Sequence, residues 1–260
     1  MGLAIGVVQP CAMRRRGIGS CPSIVYSSAM FEWPKFAAHL CGGRSPELRI
    51  ASLLGDLAES LATPSATDVL LALFDDHTLV HTVKRLAPLV DHIGFVAPSY
   101  IGVAAIEEVL KESPFRERPR TFKSAVLVKD LACRLGRDVD VTVVQGNLGG
   151  RGTRAPGVEV FVADVAAHEV ERLVAQEAGC HVALALDSSH ALDCVRTVLH
   201  AHGRWEIPLM RNGPIVNREI HSSVLYVDVP GPERTRRLEF IVFSDEDATA
   251  VSSTLVARSI

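Results

Sequence analysis

The sequence predicts an α+β protein in which a β-α-β-β-β order occurs twice, behind a helical N-terminal segment. Three observations predict it. Residues 45–62 repeat leucine and isoleucine at helical spacing, whereas the chain after Val90 turns to short β-type runs. The stretches "VDHIGFVAPSYIGVAAIEEVL" (Val90 to Leu110) and "GCHVALALDSSHALDCV" (Gly179 to Val195) echo each other. Each gives a histidine, about five strand-like residues, a turn and an amphipathic helix. An internal repeat outranks single-residue clues, because it governs the reading of the whole fold.

The first 31 residues carry Arg14, Arg15 and Arg16 and no acidic residue before Glu32. They are read as a disordered leader, with Met30 as an alternative start, rather than as an organelle presequence. "GLAIGVVQPCAM" is too short, and too broken by Pro10, for a secretory core. Residues 32–88 form the helical segment. In "SPELRIASLLGDLAESLA" the apolar residues Leu48, Ile50, Leu53, Leu54, Leu57 and Leu61 recur at helical spacing, Ser45 is placed to cap, and Pro46 suits the first turn. "SATDVLLALFDDHTLVHTVKRLA" supplies one or two more helices, ended by Pro88. Asp76, His77 and His81 share a helix face, but no glutamate stands between the histidines, so a solvated face is the reading taken.

Residues 89–260 form the second region, with modules at about 89–165 and 178–245. In the first, "DHIGFVA", "KSAVLVK", "DVTVVQG" and "GVEVFVA" are the β-type runs, with a helix over about 101–111 after the first. In the second, "CHVALAL" precedes a helix from Ser189 to about His200, then come "PIVNREI", "SSVLYVDV" and "RLEFIVF". "NLGGRGTRAPG" (Asn147 to Gly157) lacks a GK[ST] ending and precedes a strand, so it is a connection and not a phosphate loop.

Polar residues interrupt the apolar strands at matching places. His92 and His181 stand near the start of the first strand of each module, and Glu159 and Glu239 interrupt the fourth. The two pairs are separated by nearly equal lengths of chain. A single strand histidine is commonly a satisfied core group, and a single strand glutamate commonly faces solvent. Four at repeated positions form a donor set of two imidazoles and two carboxylates, suited to one divalent first-row metal: Fe, Zn, Ni, Co or Mn. A metal would also offset the cost of burying carboxylates.

On these residues the chain resembles the vicinal oxygen chelate superfamily, which includes glyoxalase I, methylmalonyl-CoA epimerase, fosfomycin-resistance proteins and extradiol dioxygenases. The resemblance covers roughly Val90 to Phe243. It implies two βαβββ modules curving into an incomplete barrel around one metal, with His92, Glu159, His181 and Glu239 as ligands. It also implies an isomerase or lyase, glyoxalase- or epimerase-like, acting on a small oxygen-rich substrate through a metal-stabilised enediolate. Glu159 or Glu239 would shuttle the proton. The first alternative is a non-haem iron dioxygenase using His92, His181 and Glu239 with Glu159 as a bystander. The second is a non-catalytic resistance protein that sequesters its ligand.

"VNREIHSSVLYVDV" adds His221 as a candidate acid-base group and Arg218 and Tyr226 as candidate substrate contacts, although alternation sets His221 and Tyr226 on opposite faces. His200 and His202 suit the end of a helix dipole better than a metal.

Composition bounds the rest. The chain has 260 residues, 48% of them hydrophobic and 22% charged, with a net charge of −3, so it can bury a core and has no electrostatic call for nucleic acid or membrane. No apolar run spans a bilayer. The cysteines (Cys11, Cys21, Cys41, Cys133, Cys180 and Cys194) form no CxxC pair and suit reduced thiols in the cytoplasm. The expected partner is a small-molecule substrate. The modules can pair within one chain or be exchanged between copies in a homodimer.

Overall fold

A computed structural model describes residues 45–62, 65–148, 155–175, 179–202, 206–210, 215–216, 221–230 and 236–243. The leader, Arg218 and most of the "NLGGRGTRAPG" connection lie outside them.

The chain begins with three helices: α1 (Pro46–Ala62), α2 (Ala66–Leu71) and α3 (His77–Leu86). Ser65 opens α2 with a capping box, its hydroxyl and backbone trading hydrogen bonds with Asp68. Asp76 caps α3 by accepting from the backbone N–H groups of Thr78 and Leu79. Its Oδ2 also faces His202 Nδ1 at 3.3 Å, so its side chain serves both this cap and this contact. His77 and His81 are exposed on the helix surface. α1 buries Ile50, Leu53, Leu54, Leu57 and Leu61, the stripe expected from their spacing.

The sheet follows. Module one runs β1 (Leu89–Pro98), a 3₁₀ turn (Ser99–Ile101), α4 (Val103–Glu112), β2 (Glu117–Lys123), α5 (Ala125–Leu135), β3 (Val141–Asn147) and β4 (Gly157–Ala163). A linking helix, α6 (Ala167–Ala175), leads to module two: β5 (Cys180–Leu186), α7 (Ser189–His202), β6 (Glu206–Met210), β7 (Ile215–Val216), β8 (His221–Val229) and β9 (Arg236–Phe243). The strand order is β2-β3-β4-β1-β5-β9-β8-β6, with β7 pairing β8. In each module the first strand runs parallel to the fourth and the other pairings are antiparallel. The modules meet where β1 and β5 pair antiparallel. This is the α+β arrangement of two βαβββ modules that the sequence predicts. Its sheet is open, ending at β2 and β6.

Two expectations need correction. The run Lys123 to Lys129 is not a strand. Ser124 caps a helix there, accepting from Leu127 N–H, and Gly136 ends it in the left-handed region at φ 68°. The strand is "ERPRTFK", just before it. In module two, β6 precedes the "PIVNREI" run, and β6 and β7 lie end to end along the same edge of β8. Both missed strands contain a proline, Pro119 and Pro208, and each proline falls inside a register shift. An edge strand tolerates the missing N–H that a central strand would not.

The central strands are buried on both faces. Along β5, β8 and β9, Val182, Leu184, Leu225, Val227, Leu238 and Phe240 join the main core, whereas Ala183, Val224, Tyr226 and Ile241 form a smaller cluster on the opposite face. α4, α6 and α7 pack on the sheet, and α1 and α3 pack on α4 and α7 as an outer layer. Among the described residues, no helix is long and apolar enough to cross a membrane.

α5 shows that the sheet is strongly curved. It follows β2 near one end of the strand order, yet Asp130 and Arg134 make ion pairs with Arg237 on β9 and Asp228 on β8. β3 and β8 are five strand spacings apart in the order, about 24 Å if the sheet were flat. Only a curved sheet lets one helix bridge that mouth.

Candidate metal centre

The four candidate ligands come together by register. Gly94 of β1 has Glu159 as its neighbour on β4 and His181 as its neighbour on β5. Ala183 of β5 has Glu239 as its neighbour on β9 and His92 as its neighbour on β1. The pseudo-twofold relation between modules therefore exchanges the two histidines and the two glutamates. Small residues occupy both central positions. At Gly94 a Cβ would run into the Phe161 ring and stand 2.5 Å from His181 Cε1, so the histidine ring occupies space that any side chain there would take.

The donor atoms converge. His92 Nε2 lies 3.0 Å from His181 Nε2, 3.5 Å from Glu159 Oε2 and 3.7 Å from Glu239 Oε2. His181 Nε2 lies 2.7 Å from Glu239 Oε2. One ligand atom each from His92, Glu159 and His181 all fall within 4.8 Å of one another. His92, His181 and Glu239 are 1%, 2% and 3% exposed, and Glu159 is half-buried.

These residues fit a metal. His92 Nδ1 lies 2.9 Å from Asp91 Oδ2, and donating its N–H there turns a lone pair at Nε2 toward the other three groups. Four acceptors then face one another in the interior, which is costly unless a cation lies among them. Donors around a first-row ion at about 2.1 Å stand roughly 3.0 to 3.4 Å apart, close to the spacings here.

Without metal, protons do that work. Burial alone would lower the His92 pKa, but Glu159, Asp91 and Glu239 outweigh it and hold it well above the usual histidine value. Burial pushes Glu159 upward and the Glu239 charge adds to this, against the pull of His92. For Glu239 burial also acts upward, but His181 and His92 win and hold it far below the usual carboxylate range. The two carboxylates are thus pushed apart, one inclined to carry a proton and one fixed as an anion.

Around the donors, Phe161 stacks on His181 at 5.5 Å between ring centroids, and Tyr226 meets it edge-on at 5.5 Å. Tyr226 is buried and pairs with Glu239 across β8 and β9. Burial and then the Glu239 charge raise its pKa well above the ordinary phenol. Gln145 faces Glu159 on β3 as Tyr226 faces Glu239 on β8. His221 opens β8 five residues before Tyr226, so roughly 17 Å separates their backbones. Reasoning from sequence alone passed over Asp91, Gly94, Gln145 and Phe161. The adjacent pair "DH" was the available signal for Asp91.

Fold and donor placement define a paired βαβββ protein with a buried two-histidine, two-carboxylate cluster, in agreement with the resemblance to the vicinal oxygen chelate superfamily. Among solved structures the chain is similar to a selenomethionine-labelled methylmalonyl-CoA epimerase (13% identity, 62% of this chain and 98% of that one, TM-score 0.39). It is also similar to a methylmalonyl-CoA epimerase in complex with methylmalonyl-CoA and NH4+ (14%, 62% and 96%, TM-score 0.38). A third is a variant of the Streptomyces coelicolor methylmalonyl-CoA epimerase in complex with 2-nitronate-propionyl-CoA (13%, 60% and 94%, TM-score 0.37). No protein-family model matches the sequence, and no curated protein does. The strand order and register define the fold independently of these likenesses.

Proposed function

We propose that the protein is a mononuclear divalent-metal enzyme of the vicinal oxygen chelate superfamily that isomerises, epimerises or cleaves a small oxygen-rich substrate by moving a proton. One observation carries this reading: the two histidine nitrogens lie 3.0 Å apart, with a Glu159 oxygen 3.5 Å from His92 and a Glu239 oxygen 2.7 Å from His181, all four residues coming from different strands. His92, His181, Glu159 and Glu239 would hold the ion. Bound there, it would act as a Lewis acid, stabilising negative charge on two neighbouring substrate oxygens.

The chain's own groups divide the remaining work. Glu239 stays anionic, held by His181 at 2.7 Å. Glu159 is the more exposed carboxylate, with a side chain 15% accessible against 4% for Glu239. Its raised pKa suits a group that takes a proton from carbon and returns it. Buried Phe161, two residues after Glu159 on β4 and stacked on His181, gives the site an apolar wall.

The test is anaerobic purification with metal quantification, then incubation with 2-oxo and 2-hydroxy acids in D2O, watching exchange at the carbon next to the carbonyl. One ion per chain is expected, and Glu159→Gln should slow exchange at least about 100-fold. A His181→Ala variant that kept both metal and exchange would overturn the reading. Oxygen uptake by the ferrous form would replace proton transfer with dioxygenase chemistry.

A further inference from the structure

The concave face holds a second cluster, beside the four donors, that this chemistry leaves unused. Arg237 stands two residues before Glu239 on β9, so both side chains leave the strand on the same face. It is buried, 1% exposed. Its Nε and Nη2 lie 2.8 and 3.1 Å from the two carboxylate oxygens of Asp228, and its Nη1 lies 2.5 Å from Asp130 Oδ2. The guanidinium carbon sits 5.1 Å from the centre of the Tyr226 ring, and Tyr226 is the strand neighbour of Glu239. A fixed cation therefore stands one strand repeat, roughly 7 Å, from a proposed metal ligand.

We infer that Arg237 binds an anionic group of the substrate, a carboxylate or phosphate, and that Asp130 holds its place until substrate arrives. The inference rests on the proposed metal reading. Asp228 already neutralises and orients the guanidinium from the neighbouring strand, as a bidentate pair does. Asp130 is a second carboxylate on the same fork, and it belongs to a different kind of element. α5 is inserted between β2 and β3 of module one, and among the described residues it has no counterpart in module two. It contributes no strand to the sheet, and with Leu127 and Leu131 anchored in the core the Asp130 side chain can part from Arg237 by turning toward Arg134.

Charge balance favours the exchange. Asp130 is also 3.2 Å from Arg134, whose side chain reaches solvent at 27% exposure. If Asp130 leaves Arg237 it keeps Arg134 as a partner, and the arriving anion takes over the vacated N–H. One anion replaces another, and no buried charge is left alone. The planar fork of arginine suits carboxylate and phosphate oxygens equally.

Two hydroxamates of equal chain length test this on the nickel-loaded protein by titration calorimetry. Both offer the same vicinal oxygens to a metal. Succinic monohydroxamate ends in a carboxylate and butanohydroxamate in a methyl group. The wild type should prefer the carboxylate probe by about 10-fold or more, the worth of one charge-assisted pair. Arg237→Gln should bring the two probes to the same affinity, and Arg237→Lys should keep part of the preference. Asp130→Asn, which leaves Arg237 paired with Asp228, should bind the carboxylate probe several-fold more tightly. Equal affinities in the wild type, or weaker carboxylate binding by Asp130→Asn, would overturn the inference while leaving the metal reading standing. Failure of the protein to bind nickel would overturn both.

Discussion

Asp91 comes one residue before His92, where strict alternation would aim it at the helices instead of at the histidine–glutamate cluster. The β1–β5 register skips from Val90 to His92, and that bulge frees Asp91 to turn its carboxylate to His92 Nδ1. The contact fixes the ring's orientation and leaves Nε2 for a ligand. Carboxylates that orient metal-bound histidines typically contribute 10- to 100-fold in metal affinity, so Asp91→Ala should weaken binding by about that factor. A competition titration with a chromophoric chelator measures it, and an unchanged affinity would remove Asp91 from the site. At this scale the sequence pointed to the four side chains that cluster, because repetition betrays a residue that breaks the apolar rule twice. Asp91 was hidden because its role depends on a bulge, and Arg237 because a charged residue beside a loop ordinarily faces solvent. Only the three-dimensional pairing with Asp130 and Asp228 shows otherwise.

Elements with strong local signals were legible, and those defined by tertiary context were not. The Ser45-Pro46 start and the leucine spacing located α1, and the β5-to-α7 turn was clear from apolar periodicity. β2 and β6 were obscured because edge strands need not alternate and can carry proline. α5 was masked by "AVLV", a run with high strand propensity whose helical state depends on its ends. Ser124 supplies one end, accepting from Leu127 N–H at 3.2 Å, and Gly136 supplies the other at φ 68°. Ser124→Ala should therefore cost about 1 kcal/mol, read as a lower midpoint in urea unfolding. Because α5 contributes none of the four donors, metal affinity should stay the same in this variant. A parallel loss of metal would show instead that the helix supports the site.

At the scale of the whole molecule, the four donors come from β1 and β4 of one module and β5 and β9 of the other, so one ion would tie the halves together. An ion present at about 1,000 times its dissociation constant stabilises the folded chain by about 4 kcal/mol, and a chelator should remove that gain. The effect should grow with pH. His92 has a folded pKa above its ordinary 6.5, so without metal its contribution is complete below that value and is lost as pH rises through the folded pKa. Glu159, also raised, binds its proton more tightly when folded, so its contribution falls in the same direction above 4.5. Glu239, held low, contributes above 4.5 and loses that contribution only toward strong acid, so it does not offset a decline on the alkaline side. The metal-free protein should therefore lose stability as pH climbs above about 6.5. The ion competes with the proton on His92, so its affinity should increase as pH rises through the folded pKa of that histidine. Melting curves with and without nickel, taken from pH 6 to pH 9, should diverge steadily toward the alkaline end. A metal-induced shift that stayed constant with pH would mean that the ion does not displace the His92 proton and binds elsewhere.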